Sequence, residues 1–98
     1  MAQLVIVYWR DIPAQVIAGQ GRRARKLQLS ERFEQAIDRC AMKVGAKDAD
    51  AYLADWRKAD PVEVAGSDEE VASATAARLE QEYDADRLRA LIANDGWA

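Results

Sequence analysis

The sequence predicts an α+β fold: a small, mostly antiparallel sheet of three strands that starts with a β-hairpin and carries helices on one face. Three observations lead to this prediction. The chain opens with two short apolar runs, helix-period apolar stripes follow them, and an alternating segment lies at residues 61–65. With 98 residues, half of them apolar, the chain has room for one hydrophobic core, so residues 1–98 are predicted to form a single domain.

The predicted hairpin joins residues 4–9 to residues 14–18. The first run is unbroken, rich in β-branched and aromatic residues and too short for a typical helix, which favours a strand. Pro13 fixes its own φ and keeps Ile12 out of the helical region, so residues 10–13 read as a short connection between antiparallel strands. Both alternating sets of the first strand are apolar, Leu4, Ile6 and Tyr8 on one side and Val5, Val7 and Trp9 on the other. We therefore expect both faces of that strand to be covered.

Helical patterns follow the hairpin. A helix beginning between Arg22 and Ser30 and ending at Gly45 is predicted from one apolar stripe: Phe33, Ala36, Ile37, Cys40, Ala41 and Val44. Asp48 is a suitable N-cap for a short helix bearing Tyr52, Leu53 and Trp56.

The second half contains one predicted strand and two predicted helices. Residues 61–65 alternate as in a strand, and Pro61 indicates either that this is an edge strand or that Pro61 is the first residue of the strand. Ser67 and Glu70 form a capping-box pattern ahead of an alanine-rich helix, whose predicted buried positions are Val71, Ala72, Thr75, Ala76 and Leu79. A last helix carries Leu88, Leu91 and Ile92 and ends near Gly96.

Charge is unevenly distributed along the chain. Residues 1–47 hold 9 Lys/Arg against 4 Asp/Glu, a net +5, whereas residues 48–98 hold 5 against 13, a net -8; together they give the net charge of -3. The two halves could face each other across one surface or form a spatial dipole. The overall acidity disfavours nucleic-acid binding.

Several kinds of chemistry lack the required residues. The chain has no histidine, which excludes a Ser-His-Asp triad and imidazole metal ligands, and its lone Cys40 cannot form an internal disulfide. No catalytic motif, cofactor or metal site is predicted. No apolar run approaches the roughly 20 residues that span a bilayer, and the N-terminus lacks signal-peptide features, so a cytoplasmic protein without membrane association is expected.

Two segments are candidate contact sites. The first contains glycines that expose backbone N–H groups and cations that suit a phosphate or an acidic partner: Gly19, Gly21, Arg22, Arg23, Arg25 and Lys26. It matches neither the Walker nor the dinucleotide pattern, so a solvated loop and helix face is the favoured alternative.

The second segment is the turn region with Tyr8, Trp9, Arg10 and Asp11. Residues held by a rigid hairpin are natural contact points. The alternative is that Trp9 is a core residue and that Arg10 and Asp11 order the turn through a local ion pair or side-chain hydrogen bond. Cys40 lies on an apolar stripe and is predicted to be buried and inert.

The segments VYWRDIPAQVIA, Gly-x-Gly-Arg-Arg, SERFEQAID and DAYLADW resemble the bacterial family labelled virulence factor, whose domain also occurs as a module in conserved virulence factor C-like proteins. The resemblance spans nearly the whole chain but implies no documented catalytic role. It does imply small stand-alone proteins or modules fused to helical repeats, and an accessory role near folate-dependent and corrinoid methyl-transfer enzymes of one-carbon metabolism.

Two functions remain open from the sequence. One is a non-catalytic accessory or protein-interaction module that binds a protein partner or a second copy of itself. The other is a small anion-binding or cofactor-phosphate-binding protein that uses residues 19–26.

Overall fold

The computed structural model describes residues 2–45 and 49–98. Within these residues the strands are β1 Ala2–Trp9, β2 Ile12–Ala18, β3 Arg25–Gln28, β4 Trp56–Lys58 and β5 Val62–Val64. The helices are α1 Glu31–Lys43, α2 Ala49–Ala54, α3 Asp68–Glu82 and α4 Ala85–Ala93. The strands form one antiparallel sheet in the order β3-β2-β1, and β4 and β5 both pair with the free edge of β1. The predicted α+β class and leading hairpin are confirmed, although the described residues form five strands where the sequence predicted three.

The hairpin turn is shorter than expected. Only Arg10 and Asp11 separate the strands, and Pro13 lies inside β2 opposite Tyr8. The register shifts between Val7 and Tyr8, which leaves a β-bulge at this point. A proline has no N–H to donate to the ladder, so a bulge is one of the few places where a strand tolerates it.

Strand β3 occupies a segment that the sequence analysis assigned to the loop or the start of a helix. It pairs with β2 from Gln15↔Gln28 to Ala18↔Arg25, and α1 begins only at Glu31. The four residues of β3, two of them cations, are too few to show a clear periodicity in the sequence. The segment is a strand because it pairs with β2. The preceding Gly21–Arg23 forms a single 3₁₀ turn.

Five of the six residues of the predicted α1 stripe are buried: Phe33, Ala36, Ile37, Cys40 and Ala41. The sixth, Val44, is the C-cap after the end of α1 and is half-buried. In the next segment, Tyr52 and Leu53 lie in α2 as predicted, and Leu53 is 62% exposed. Trp56, predicted in the same helix, belongs to β4 and pairs with Trp9. Asp48, the predicted N-cap of this helix, lies outside the described residues.

The last two helices follow their predicted patterns. The Ser67 hydroxyl accepts a hydrogen bond from the Glu70 N–H at 3.1 Å, which caps α3. Four predicted positions of α3 are buried, and Ala76 is half-buried. Asp84 caps α4 by accepting from the Arg87 N–H at 2.8 Å.

The two faces of the sheet differ. Leu4, Val16 and Ala18 share a hydrophobic cluster with Val71 and Leu79 of α3, which packs across β1, β2 and β3. On the other face, the register places Val5 beside Ile17, with Val7 two residues further along β1. These three are half-buried and lie outside the core cluster. Helix α3 therefore covers one face, and the centre of the other is open.

Candidate functional site

The candidate contact residues lie at two opposite ends of the β1–β2 hairpin. Arg10 and Asp11 form its closed end, while Gly19 follows β2 at the other end, where its N–H donates to Gln3 O at 2.8 Å. Gly19 is level with Gln3, which precedes Arg10 by seven residues on β1 and the turn, so at about 3.4 Å per residue Arg10 and Gly19 are about 24 Å apart. They therefore do not form one small-molecule site.

The Arg10 side chain is held by groups from distant parts of the chain. Its Nε donates to Asp55 Oδ2 at 3.1 Å, and Nη1 donates to the Asp95 carbonyl at 2.5 Å. The guanidinium carbon lies 5.0 Å from the centroid of the Trp9 ring and 5.3 Å from that of Trp97. Only 16% of the side chain is exposed. The Arg10 guanidinium is already hydrogen-bonded within the protein, so little of its surface is accessible to a ligand.

Asp11 joins the same turn to the C-terminal residues and to β4. Its N–H donates to Gly96 O at 2.8 Å, and its two carboxylate oxygens accept from Arg57 Nη2 at 2.8 Å and from the Ala98 N–H at 2.7 Å. Arg57 Nε also donates to the Arg10 carbonyl at 3.0 Å. The alternative in which Arg10 and Asp11 order the turn is therefore favoured, but their partners are remote and not local as predicted.

Trp9 is part of the core. It is fully buried, its Nε1 donates to the Tyr52 carbonyl at 3.0 Å, and the Trp9 and Tyr52 rings stack with centroids 6.0 Å apart. Trp56 meets Tyr52 edge-on, with centroids 5.9 Å apart and an interplanar angle of 75°. Because Trp56 and Tyr52 are only half-buried, this aromatic group extends from the core to the surface.

Burial raises the pKa of two titratable side chains in this region. It raises the pKa of Tyr8, as does the neighbouring Tyr83, although the Arg57 guanidinium lies 4.6 Å from the Tyr8 ring centroid and opposes the shift. Burial also raises the pKa of the Cys40 thiol against the opposing influence of Arg10. Cys40 is fully buried, which confirms its predicted placement, and a protonated buried thiol is a poor nucleophile.

The second candidate segment has mixed charge. Arg22, Arg23 and Lys26 are exposed, but α3 brings carboxylates to the same loop. A Cβ built on Gly19 would clash with the Asp68 carboxylate, so an acidic group lies directly against this glycine. Arg25 lies 3.8 Å from Glu69 in an exposed pair. An anion that approaches the Gly19 backbone would be repelled by the Asp68 carboxylate. In the described part of the chain Arg22 and Arg23 make no ion pair with Asp68 or Glu69, so an anion can approach these two arginines more easily.

The open face of the sheet, defined by Val5, Val7 and Ile17, presents apolar side chains with charges at its borders. The register places Lys58 opposite Val7 on β4, Lys26 opposite Ile17 on β3 and Glu63 opposite Gln3 on β5. Residues directly opposite in a ladder point to the same face, so these charged groups flank the apolar centre.

A small pocket, which we call the aromatic pocket, opens beside Trp56. Its volume is about 180 Å³, and the described residues lining it are Ala14, Gln28, Leu29, Glu34, Ile37, Tyr52 and Trp56. Ile37 and Leu29 are buried at its floor, whereas Glu34 is exposed at its mouth. Gln28 pairs with Gln15 in the sheet, so the pocket borders one end of the open face.

Sequence reasoning did not find most of these neighbours. The partners of Trp9 and Asp11 are 43 and 87 residues away in the chain, and local spacing carries no signal at such separations. No sequence pattern distinguishes Glu34, because a single carboxylate on the exposed face of a helix is common. Only the tertiary structure brings Glu34 of α1 to the same pocket as Tyr52 of α2 and Trp56 of β4.

Neither a metal-binding cluster nor a membrane-spanning helix is found among the described residues. Across residues 2–45 and 49–98, no three cysteine, aspartate and glutamate side chains are arranged to hold a metal ion. None of the helices in this part of the chain has the length and apolar character needed to cross a membrane.

Residues 7–92 match the family model described as Virulence factor. The chain belongs to the virulence factor family. The matched segment begins in β1 and ends in α4, so it contains the hairpin turn, the loop at residues 19–26 and every residue that lines the aromatic pocket. Neither the curated proteins nor the solved structures compared with this chain gave a match.

Proposed function

We propose that this virulence factor domain is a non-catalytic protein-interaction module that pairs with a second copy of itself through the open face of its sheet. The observation that carries the proposal is the group of Val5, Val7 and Ile17, which lies outside the core cluster and is only half-buried. An apolar centre with a polar border is the usual anatomy of a protein interface. The sheet also presents this surface on a rigid scaffold.

The charges around the open face favour a second copy as its occupant. Glu63 and Lys58 lie along the same edge of β1, near Gln3 at one end and Val7 at the other. A two-fold axis perpendicular to β1 through Val5 exchanges these ends and brings Lys58 of each copy opposite Glu63 of the other. Such self-complementarity is what a two-fold interface requires. Two Lys26 residues would approach near the axis, but their long side chains can point into solvent.

The expected affinity is low. A standard interface buries about 800 Å² per partner, and three half-buried β-branched side chains supply only its centre, so we expect a dissociation constant of about 10 μM or weaker. Sedimentation equilibrium over a concentration series to about 1 mM measures this range directly. A dimer that forms across the series supports the proposal.

The decisive variant is Val7→Glu. A carboxylate at position 7 lies opposite Lys58 in the ladder, so the folded monomer tolerates it, whereas the apolar centre of a dimer does not. We expect Val7→Glu to remain monomeric throughout the series. Gln81→Glu adds the same charge at an exposed position of α3 and should dimerise as the wild type does. Circular dichroism checks that both variants are folded.

Two results would overturn the self-association. One is a wild-type protein that stays monomeric at about 1 mM, where even weak interfaces associate. The other is dimerisation that Val7→Glu leaves unchanged. In either case the same pair of variants serves as bait in host extract. A stoichiometric partner lost with Val7→Glu and kept with Gln81→Glu would make the open face a site for another protein, and a folate- or corrinoid-dependent methyl-transfer enzyme is the class that the family resemblance implies.

Anion binding by residues 19–26 is the second candidate function. The exposed Arg22 and Arg23 favour it, whereas Asp68 beside Gly19 and Glu69 beside Arg25 oppose it. Titration with inorganic phosphate and with a polyglutamate peptide tests this function separately, because neither ligand involves the open face.

A further inference from the structure

The aromatic pocket combines two features that together select a positive charge. Tyr52 and Trp56 place their rings at an angle of 75°, so the pocket wall carries two differently oriented π surfaces. Glu34 is the charged residue among the described residues of the lining. Aromatic faces attract cations through the ring quadrupole, and a carboxylate at the mouth adds a full negative charge.

A second carboxylate strengthens the negative potential. Asp38 lies one turn beyond Glu34 on α1. The pKa of the Tyr52 hydroxyl is raised first by burial and then by Asp38, with Glu34 contributing in the same direction. Both carboxylates therefore act on the ring that lines the pocket.

The size of the pocket limits what can enter it. Its volume is about 180 Å³, whereas sites for drug-sized ligands are about 300–1,000 Å³. A nucleotide or a pterin is too large. A cavity of about 150 Å³ accommodates benzene, so an alkylammonium head of similar bulk fits.

We propose that the aromatic pocket binds an alkylammonium group, with Tyr52 and Trp56 contacting its methyl or methylene groups and Glu34 facing its charge. The buried side chains of Leu29 and Ile37 form an apolar floor for the attached carbons. The group can belong to a free amine or quaternary ammonium compound, or to a lysine side chain of another protein. This site is independent of the self-association proposed above, which does not involve Glu34.

The test is a titration of the ¹⁵N-labelled protein with choline, followed through the indole N–H signals of its tryptophans. We expect a saturable shift of the Trp56 signal, while that of Trp97, which does not line the pocket, serves as the internal control. The neutral isostere 3,3-dimethylbutan-1-ol has the same shape without the charge. It should bind at least about tenfold more weakly, because cation–π and ionic attraction are both lost.

Two matched variants separate charge from fold. Glu34→Gln removes the carboxylate at the pocket and should weaken choline binding about fivefold, as expected for one partly exposed charge. Glu31→Gln removes an exposed carboxylate from the first turn of the same helix, away from the lining, and should leave binding within about twofold. Trp56→Leu keeps an apolar side chain but removes the ring, and its binding is followed through the backbone amide signals of Glu34 and Tyr52 because the Trp56 indole is gone. It should prefer choline over the isostere less than the wild type does, with the remaining preference coming from Glu34.

Nα-acetyl-lysine methylamide and its trimethylated form distinguish the two sources of the ligand. Tighter binding of either lysine derivative than of choline assigns the pocket to a protein-borne lysine, and the reverse order assigns it to a free ammonium compound. Equal binding of choline and the neutral isostere, equal effects of Glu34→Gln and Glu31→Gln, or no saturation below about 50 mM would each overturn the proposal.

Discussion

Arg10 occupies a backbone conformation that side chains rarely adopt, with a φ of 55°. Such a position costs of order 1 kcal/mol and persists only where surrounding contacts determine it. Here the backbone N–H of Arg10 donates to Asp55 O at 3.0 Å, and its guanidinium lies between the Trp9 and Trp97 rings. The conformation of the two-residue turn is therefore stabilised by contacts with residues that are distant in the sequence, such as Asp55 and Trp97.

Gly96 is the residue that allows the C-terminal segment to approach this turn. Its φ is +88°, and a Cβ at this position would lie 2.9 Å from Arg10 Cδ and 3.3 Å from Cys40 Sγ. We expect Gly96→Ala to lower the free energy of unfolding by about 2–3 kcal/mol, because strain and steric conflict add. Urea denaturation measures the loss.

Gly21→Ala is the matched control for this prediction. Gly21 also has a positive φ of +66°, but an added Cβ would have no neighbour within 4 Å among the described atoms. This variant should lose about 1 kcal/mol from backbone strain alone. If the two variants lose equal stability, the close approach of Gly96 to Arg10 is not a determinant of the fold.

At the scale of elements, Glu80 connects α3 to the start of α1. Its carboxylate accepts from both the backbone N–H and the hydroxyl of Ser30, each at 2.7 Å, and from Arg32 Nη2 at 3.0 Å. Ser30 is the N-cap of α1, yet its hydroxyl makes no bond to the helix. The α1 N-terminus is therefore held by another helix in place of the usual local cap.

These contacts make the stability of the α1–α3 connection depend on pH. Burial would raise the pKa of Glu80, but the hydrogen bonds from Ser30 and Arg32 outweigh burial and hold it below the usual value of 4.5. A carboxylate with a lowered folded pKa stabilises the fold above its unfolded pKa, and this stability is lost as the pH falls through the folded pKa. We expect Glu80→Gln to cost about 1 kcal/mol at pH 7, a value reduced by the partial exposure of the group, and almost nothing near pH 3.

Denaturation of both proteins at several pH values between 3 and 7 tests this expectation. Glu82→Gln on the same helix is the control, since within residues 2–45 and 49–98 the Glu82 carboxylate makes only a long 3.8 Å contact with Arg78 at the surface. A Glu80→Gln penalty that stays constant across the range would show that the ionised carboxylate is not what stabilises the connection.

At the scale of the whole molecule, the basic and acidic halves of the chain face each other. Ion pairs join the two halves within the described residues, and they are Arg10–Asp55, Arg25–Glu69, Arg32–Glu80, Lys43–Asp95 and Asp11–Arg57. Most of them are partly or fully exposed, so each contributes little. Four of these pairs join a cation of residues 1–47 to a carboxylate of residues 48–98, whereas Asp11–Arg57 joins the halves with the charges reversed, so internal pairing accounts for part of the charge asymmetry.

Arg22, Arg23 and Lys26 are the cations in residues 19–26 that this pairing does not explain. All three are exposed, Arg22 and Arg23 on the 3₁₀ turn, and no ion pair involves them among the described residues. We expect the double variant Arg22→Glu, Arg23→Glu to change the free energy of unfolding by no more than about 0.5 kcal/mol, as is typical of surface positions. Any association with inorganic phosphate or with an acidic partner should weaken sharply, and the wild-type interaction should fall as salt rises.

Thermal denaturation and the phosphate titration are run together on this variant. Arg89→Glu is a suitable control because it reverses an exposed cation on α4, where the existing pair with Asp86 is at the surface. If the Arg22 and Arg23 variant unfolds while the control does not, the loop cations are structural.

The sequence by itself determined the elements that rest on local chemistry. The unbroken run ending at Trp9, the apolar stripe from Phe33 to Ala41 and the cap at Ser67 predicted β1, α1 and α3. Strand alternation, helical periodicity and N-capping each depend on residues at most a few positions apart, so they can be read from one chain.

The tertiary structure alone decided the features that depend on remote partners. Strand β3 exists because β2 is beside it, and Trp56 belongs to a strand because it pairs with Trp9. The sequence placed Arg10 on a turn, but it did not show that its guanidinium would lie near both Trp9 and Trp97. It placed Glu34 on a helix face, but it did not show that this face borders an aromatic pocket. Side chains separated by tens of residues meet only after the chain has closed its core, and that closure decides which surfaces remain open for binding.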